Sequence, residues 1–186
     1  MKRPQRYLLA ILSALAVFWI VLIRVPPLIS LWLVVAAVVF GFGLAVFARD
    51  YLVGRWNFRR RDWRRSLARF EAFEKKLLET RLGFVLIPLY TSIYSFDGVA
   101  IARNNIAQCL IKLDALDDAE RWLRSALQRD PLYPVPYTNL GTIAALRGDS
   151  AAAQLAFRRA VELGFSPAAA QEMLRRARAE AERKMK

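Results

Sequence analysis

The sequence predicts an all-α protein in which an N-terminal two-helix transmembrane hairpin precedes a short α-solenoid with flanking capping helices. Three observations predict it. Residues 103–131 and 137–167 repeat one pattern of apolar and small residues 34 positions apart, a period expected of stacked helix-turn-helix units. Residues 7–23 and 28–48 are two uncharged runs, and a helix needs about 20 residues to cross hydrocarbon. Between these parts, Leu67, Phe70, Phe73, Leu77 and Leu78 fall on a helical spacing within residues 66–81, with charges elsewhere.

Composition narrows the function. The 186 residues carry 29 Lys+Arg against 16 Asp+Glu, a net charge of +13, and 15 of the bases with only 6 of the acids lie in residues 1–102. The positive excess therefore gathers near the apolar runs. With no histidine, the commonest metal ligand and the commonest general acid–base group are missing. The lone Cys109 cannot form an internal disulfide. No Gly-rich phosphate loop followed by Lys-Ser/Thr and no nucleophile–base set occurs. A non-enzymatic role without catalytic residues, cofactor or metal is expected.

The first domain, residues 1–48, holds both apolar runs. A cleaved signal peptide fits the charged start at Lys2, Arg3 and Arg6, but bulky Phe18, Trp19, Ile20 and Leu22 fill the end of the run where small residues belong. Pro26-Pro27 separates the runs; proline lacks the amide donor and restricts its predecessor, so the spans turn back on each other. Three basic residues precede the first span, one lies in the turn and seven arginines follow in residues 49–65. That bias places both termini on the cytoplasmic side, and the compact, arginine-rich chain suggests a bacterial inner membrane.

Residues 49–65 interleave those arginines with Tyr51, Trp56, Phe58 and Trp63. The sequence predicts a juxtamembrane collar in which Arg55, Trp56, Arg59, Arg60, Arg61, Trp63, Arg64 and Arg65 contact anionic lipid headgroups, with the rings at headgroup depth. Basic residues alternating with aromatics also describe nucleic-acid grooves; the position directly after a span favours lipid. Residues 66–99 follow as an amphipathic helix and an apolar connector that cover the first repeat. Residues 82–102 contain only Asp97 as a charge, so a third span that would invert the repeats is an alternative; Asp97 otherwise reads as a helix cap.

Residues 100–167 hold the repeats. In the second unit Tyr137, Leu140, Gly141, Gly148-Asp149, Ala153, Phe157 and Ala160 stand at the marked positions; in the first, Ile106, Leu110, Ala119, Leu123 and Ala126 keep the apolar places, while Arg103, Ala107 and Asp114-Ala115 depart from the second. On these residues the stretch resembles the tetratricopeptide repeat family. The resemblance implies a groove for an extended peptide or partner helix, at Asn104, Gln108 and Lys112 in the first unit and Thr138, Asn139 and Thr142 in the second, with Asn105 at the repeat position of Asn139. Amides offer donor and acceptor to a peptide backbone, and Lys112 suits a carboxylate. Ser166-Pro167 reads as the start of a capping helix over residues 168–186, and Cys109, among Ile106, Leu110 and Leu113, reads as buried.

The expected function is a membrane-anchored adaptor that recruits protein partners, with anionic lipids and a second copy of the chain as further partners and nucleic acid the weaker reading. A lipid-interacting membrane organiser, or an accessory subunit of a membrane enzyme or transport complex, is the alternative.

Overall fold

Left-handed residues punctuate the chain at Arg61, Asp114, Gly148 and Gly164, with φ of 62°, 64°, 82° and 103°. Each ends a helix in the same way. The amides of Asp62, Ala115, Asp149 and Phe165 reach back to the carbonyls of Asn57, Leu110, Ala144 and Ala160, at 2.9–3.0 Å, while the left-handed residues themselves donate to Phe58, Ile111, Ala145 and Val161. This double bond pattern satisfies the carbonyls that a helix C-terminus leaves open.

The computed structural model describes residues 12–20, 26–80 and 94–184. All regular structure among them is helical: residues 12–20, then α1 (Pro27–Phe47), α2 (Arg49–Arg59), α3 (Trp63–Thr80), α4 (Gly98–Lys112), α5 (Leu116–Arg129), α6 (Pro134–Leu146), α7 (Ser150–Glu162) and α8 (Pro167–Lys184). Several starts follow from local chemistry. The carboxylates of Asp97 and Asp149 accept from the amides of Ala100 and Ala152, both at 2.9 Å, and Asp117 and Asp118 sit in the first turn of α5, where the dipole favours them.

The described chain contains three stacked helix-turn-helix units, one more than the sequence predicts. Seven residues before the turns at Arg61, Asp114 and Gly148 stand Gly54, Ala107 and Gly141; five after stand Ser66, Ala119 and Ala153; nine after stand Phe70, Leu123 and Phe157. All nine are buried. In each pair a small residue on the first helix lets the second helix approach. A Cβ on Gly54 would lie 2.8 Å from the Phe70 ring, and one on Gly141 2.7 Å from the Phe157 ring. In the first unit the Ser66 hydroxyl also donates to the Gly54 carbonyl across the crossing, at 2.8 Å. The supposed collar and amphipathic helix are thus α2 and α3, a helix pair of the same kind as the two that follow.

The units are joined by α3 against α4, α5 against α6, and α8 against α6 and α7. Tyr51, Phe70, Phe73, Leu77, Ile101 and Ile106 form one continuous core across the first two units. Arg103, out of pattern in the sequence, has a structural reason: it donates to Glu74 at 2.9 Å and to Ser125 at 2.7 Å, tying α3 and α5 to α4. α8 caps the far end by burying Ala170, Ala177 and Ala181, as expected for its start at Ser166-Pro167.

Two expectations about spans change. Asp97 caps α4, and Val99, Ala100, Ile101 and Ala102 lie in the core, so residues 98–102 are not the end of a third span; residues 81–93 lie outside the described residues. Of the expected first span, residues 7–11 and 21–23 also lie outside them. α1 is 21 residues long without a charged side chain, but its described side chains run unbroken only from 29 to 43. Among the described residues no helix is long and apolar enough to cross a membrane.

Candidate functional site

The polar residues assigned to the groove separate into two groups. Asn104 is 1% exposed and Asn139 6%, and the Asn139 amide donates to the Asn104 side-chain carbonyl at 2.8 Å. A pair of amides that satisfy each other away from water links α4 to α6 and is closed to a ligand. Thr138 is also buried, and its hydroxyl donates to the Val135 carbonyl at 2.8 Å. These three are therefore corrected from groove to core: the units approach closely enough here to bury the positions expected to face a partner.

The other group remains at the surface. Asn105, Gln108 and Lys112 follow one another at helical spacing on α4; Lys112 is exposed, and Gln108 and Asn105 are half-buried. Asn105 Nδ2 is shielded and has no acceptor among the described residues. An unpaired shielded donor costs about 1–3 kcal/mol. Thr142, on α6, is half-buried and spends its hydroxyl on the Thr138 carbonyl at 3.0 Å.

The expected lipid collar is also redistributed. Tyr51 is buried against Phe70 and Phe73, with ring centroids 5.8 and 5.4 Å away. Phe58 and Trp63 stack edge to face at 4.7 Å across the α2–α3 turn, half-buried. Three of the four collar rings are thus partly or wholly used by the fold, and Trp56, 59% exposed, is the one left to solvent. Arg59, Arg60, Arg61, Arg64 and Arg65 are all exposed at or beside that turn, and half-buried Arg55 lies 6.0 Å over the Tyr51 ring. Periodicity could have found this: Tyr51, Gly54 and Phe58 share one face of a helix, which an interfacial collar does not require.

Two further clusters are structural. Arg147 donates to Glu120 at 2.6 Å and also to Asp117, so the cleft of about 310 Å³ between α5, α6 and α7 is crossed by a strut that joins the last two units. Cys109 is buried as expected, burial pushes its thiol up to about 11, and it donates to Ser66 at 3.3 Å. It therefore remains a protonated packing residue at neutral pH. No group of three or more His, Cys, Asp or Glu side chains among the described residues could hold a metal. Compared with known proteins, the chain matches no family model and no curated sequence.

Proposed function

We propose that this protein is a non-enzymatic adaptor, a tetratricopeptide-like solenoid held at a membrane by the apolar helices that precede it. The observation that carries the reading is the contrast between the two halves. The solenoid buries most of its apolar residues in three core clusters, while Ile29, Trp32, Val38, Phe40, Phe42 and Val46 are exposed around α1. A helix that is apolar on all sides needs a partner other than water. Residues 12–20 repeat the pattern, with Leu12, Leu15, Phe18 and Trp19 exposed. Residues 12–20 and α1 then belong to the anchoring hairpin, and both termini face the cytoplasm, as the distribution of arginine favours.

Protein recruitment belongs to α4 and its neighbour α6. Asn105, Gln108 and Lys112 follow one another in one row, and the Gln108 amide and the exposed Lys112 cation suit an extended backbone carrying a carboxylate. Tethering raises the effective concentration of a weak partner at the membrane without any new contact.

A reporter fused after Lys186 tests the anchor: activity of a cytoplasm-only reporter, with membrane retention after alkaline extraction, is the expected result, and extraction of the chain into the soluble fraction sinks it. For the surface, a photo-crosslinking residue at Gln108 is expected to capture a discrete partner, and Lys112→Glu to abolish capture. The same label at exposed Arg158, on α7, should capture nothing. Equal capture at both positions would remove the α4 assignment.

A further inference from the structure

α2 carries two opposed faces, and only one is used by the fold. Tyr51, Gly54 and Phe58 point to α3, whereas Arg49, Leu52, Trp56, Arg59 and Arg60 occupy the other side at about 100° per residue. Leu52 is 40% exposed and Trp56 59%, both unusual for large apolar side chains on a short, well-packed helix. The Arg60 guanidinium lies 5.8 Å over the Trp56 ring. Arg61 and Arg64 continue the positive charge around the turn. Of the acids nearby, Asp50 is held by Arg69 at 2.9 Å and Asp62 by Arg65 at 3.4 Å. Arg49, Arg59, Arg60, Arg61 and Arg64 have no carboxylate partner among the described residues.

We propose that α2 is an interfacial helix whose Leu52–Trp56 face lies in the surface of an anionic bilayer and sets the solenoid on its side against the membrane. The inference rests on α1 being a membrane anchor. Connectivity then brings α2 to the surface, because Ala48 alone separates Phe47 from Arg49. Ala48, with ψ of 6°, departs from helical geometry and interrupts the helical run between α1 and α2. The junction is braced: Lys76 of α3 donates to the Phe47 carbonyl at 2.9 Å and sits 4.5 Å over the Phe47 ring. A cation at that carbonyl also suits the C-terminal end of α1. The chemistry of the face matches the interface: an indole and a leucine between arginines place apolar atoms at the acyl boundary and charge among phosphates. An acidic protein surface would meet the arginines but has less use for the exposed leucine and indole.

The test uses the full chain with Cys109→Ala, carrying a single environment-sensitive label on Leu52→Cys, Val38→Cys or Arg121→Cys. Each is reconstituted into vesicles of phosphatidylcholine alone or with one-third phosphatidylglycerol. Accessibility is read by quenching with acrylamide, which is uncharged. The label at 38 is expected to be protected and that at 121 open in both lipids, whereas the label at 52 should be about three-fold or more less quenched in the anionic vesicles. High salt, or Arg59→Gln with Arg60→Gln and Arg64→Gln, should erase that difference, with helical content by circular dichroism unchanged. Equal exposure at 52 in both lipids with 38 protected overturns the interfacial helix and leaves the anchor standing. Exposure at 38 as well overturns the anchor, and this inference with it. Protection at 52 in both lipids overturns the anionic preference.

Discussion

Gly141 shows how one missing methylene positions a helix pair. Its Cβ would meet the Phe157 ring at 2.7 Å and the Ala153 carbonyl at 3.2 Å, and the first unit repeats the ring contact with Gly54 and Phe70 at 2.8 Å. The middle unit reaches the same crossing with Ala107 and Leu123, so the pair matters more than either residue. Gly141→Ala is expected to destabilise by about 1–2 kcal/mol, overpacking outweighing the better helix propensity of alanine. Adding Phe157→Leu should restore much of that loss, which a double-mutant cycle by chemical unfolding in detergent would measure; strictly additive losses would refute the compensation. Cys109 supplies a pH test. Its folded pKa of about 11 lies above the ordinary 9.0, so the fold prefers the protonated thiol. Its contribution is fully present below pH 9 and disappears as pH rises towards 11. Against Cys109→Ala, the wild-type chain should lose on the order of 2 kcal/mol more between those values, and parallel pH profiles would exclude it.

At the scale of the element, the turns between paired helices decide where each helix stops. The left-handed position is filled by Arg61, Asp114 and Gly148 in successive units. Glycine takes this conformation without a side-chain penalty, and aspartate does so more readily than arginine. Asp114→Gly should therefore stabilise by about 0.5 kcal/mol, and Asp114→Val destabilise by about 1–2 kcal/mol, read from thermal midpoints. A neutral Asp114→Val would show that the turn relaxes to another form. Helix ends of this kind were legible in the sequence wherever the local chemistry was usual. Gly148-Asp149 and Ser166-Pro167 mark α7 and α8 as expected. Arg61-Asp62 marks α3 equally well by its bonds, but arginine at the left-handed position gives no such signal, so the α2–α3 turn is not legible in the sequence.

Across the whole molecule, three units and a final helix share neighbouring interfaces, so stability depends on each unit having a cover. α8 covers Ala145 and Ala153 through Ala177 and half-buried Leu174. A chain ending at Phe165 should lose on the order of 3 kcal/mol and be cleaved faster within α6 and α7; unchanged proteolysis would show that α8 is dispensable. What the sequence by itself determined was local: the all-helical class, the 34-residue pair, most caps, the cap at Asp97 and the burial of Cys109. These follow from spacing and from contacts within a few residues. The third unit was decided by the tertiary structure, because its turn at Arg61 stands fifty-three residues before Asp114 rather than thirty-four and so breaks the period. The fate of the polar row was decided there too. Asn104 and Asn139 are thirty-five residues apart, and only the approach of α4 to α6 turns two amides that look ready for a ligand into a buried pair that binds itself.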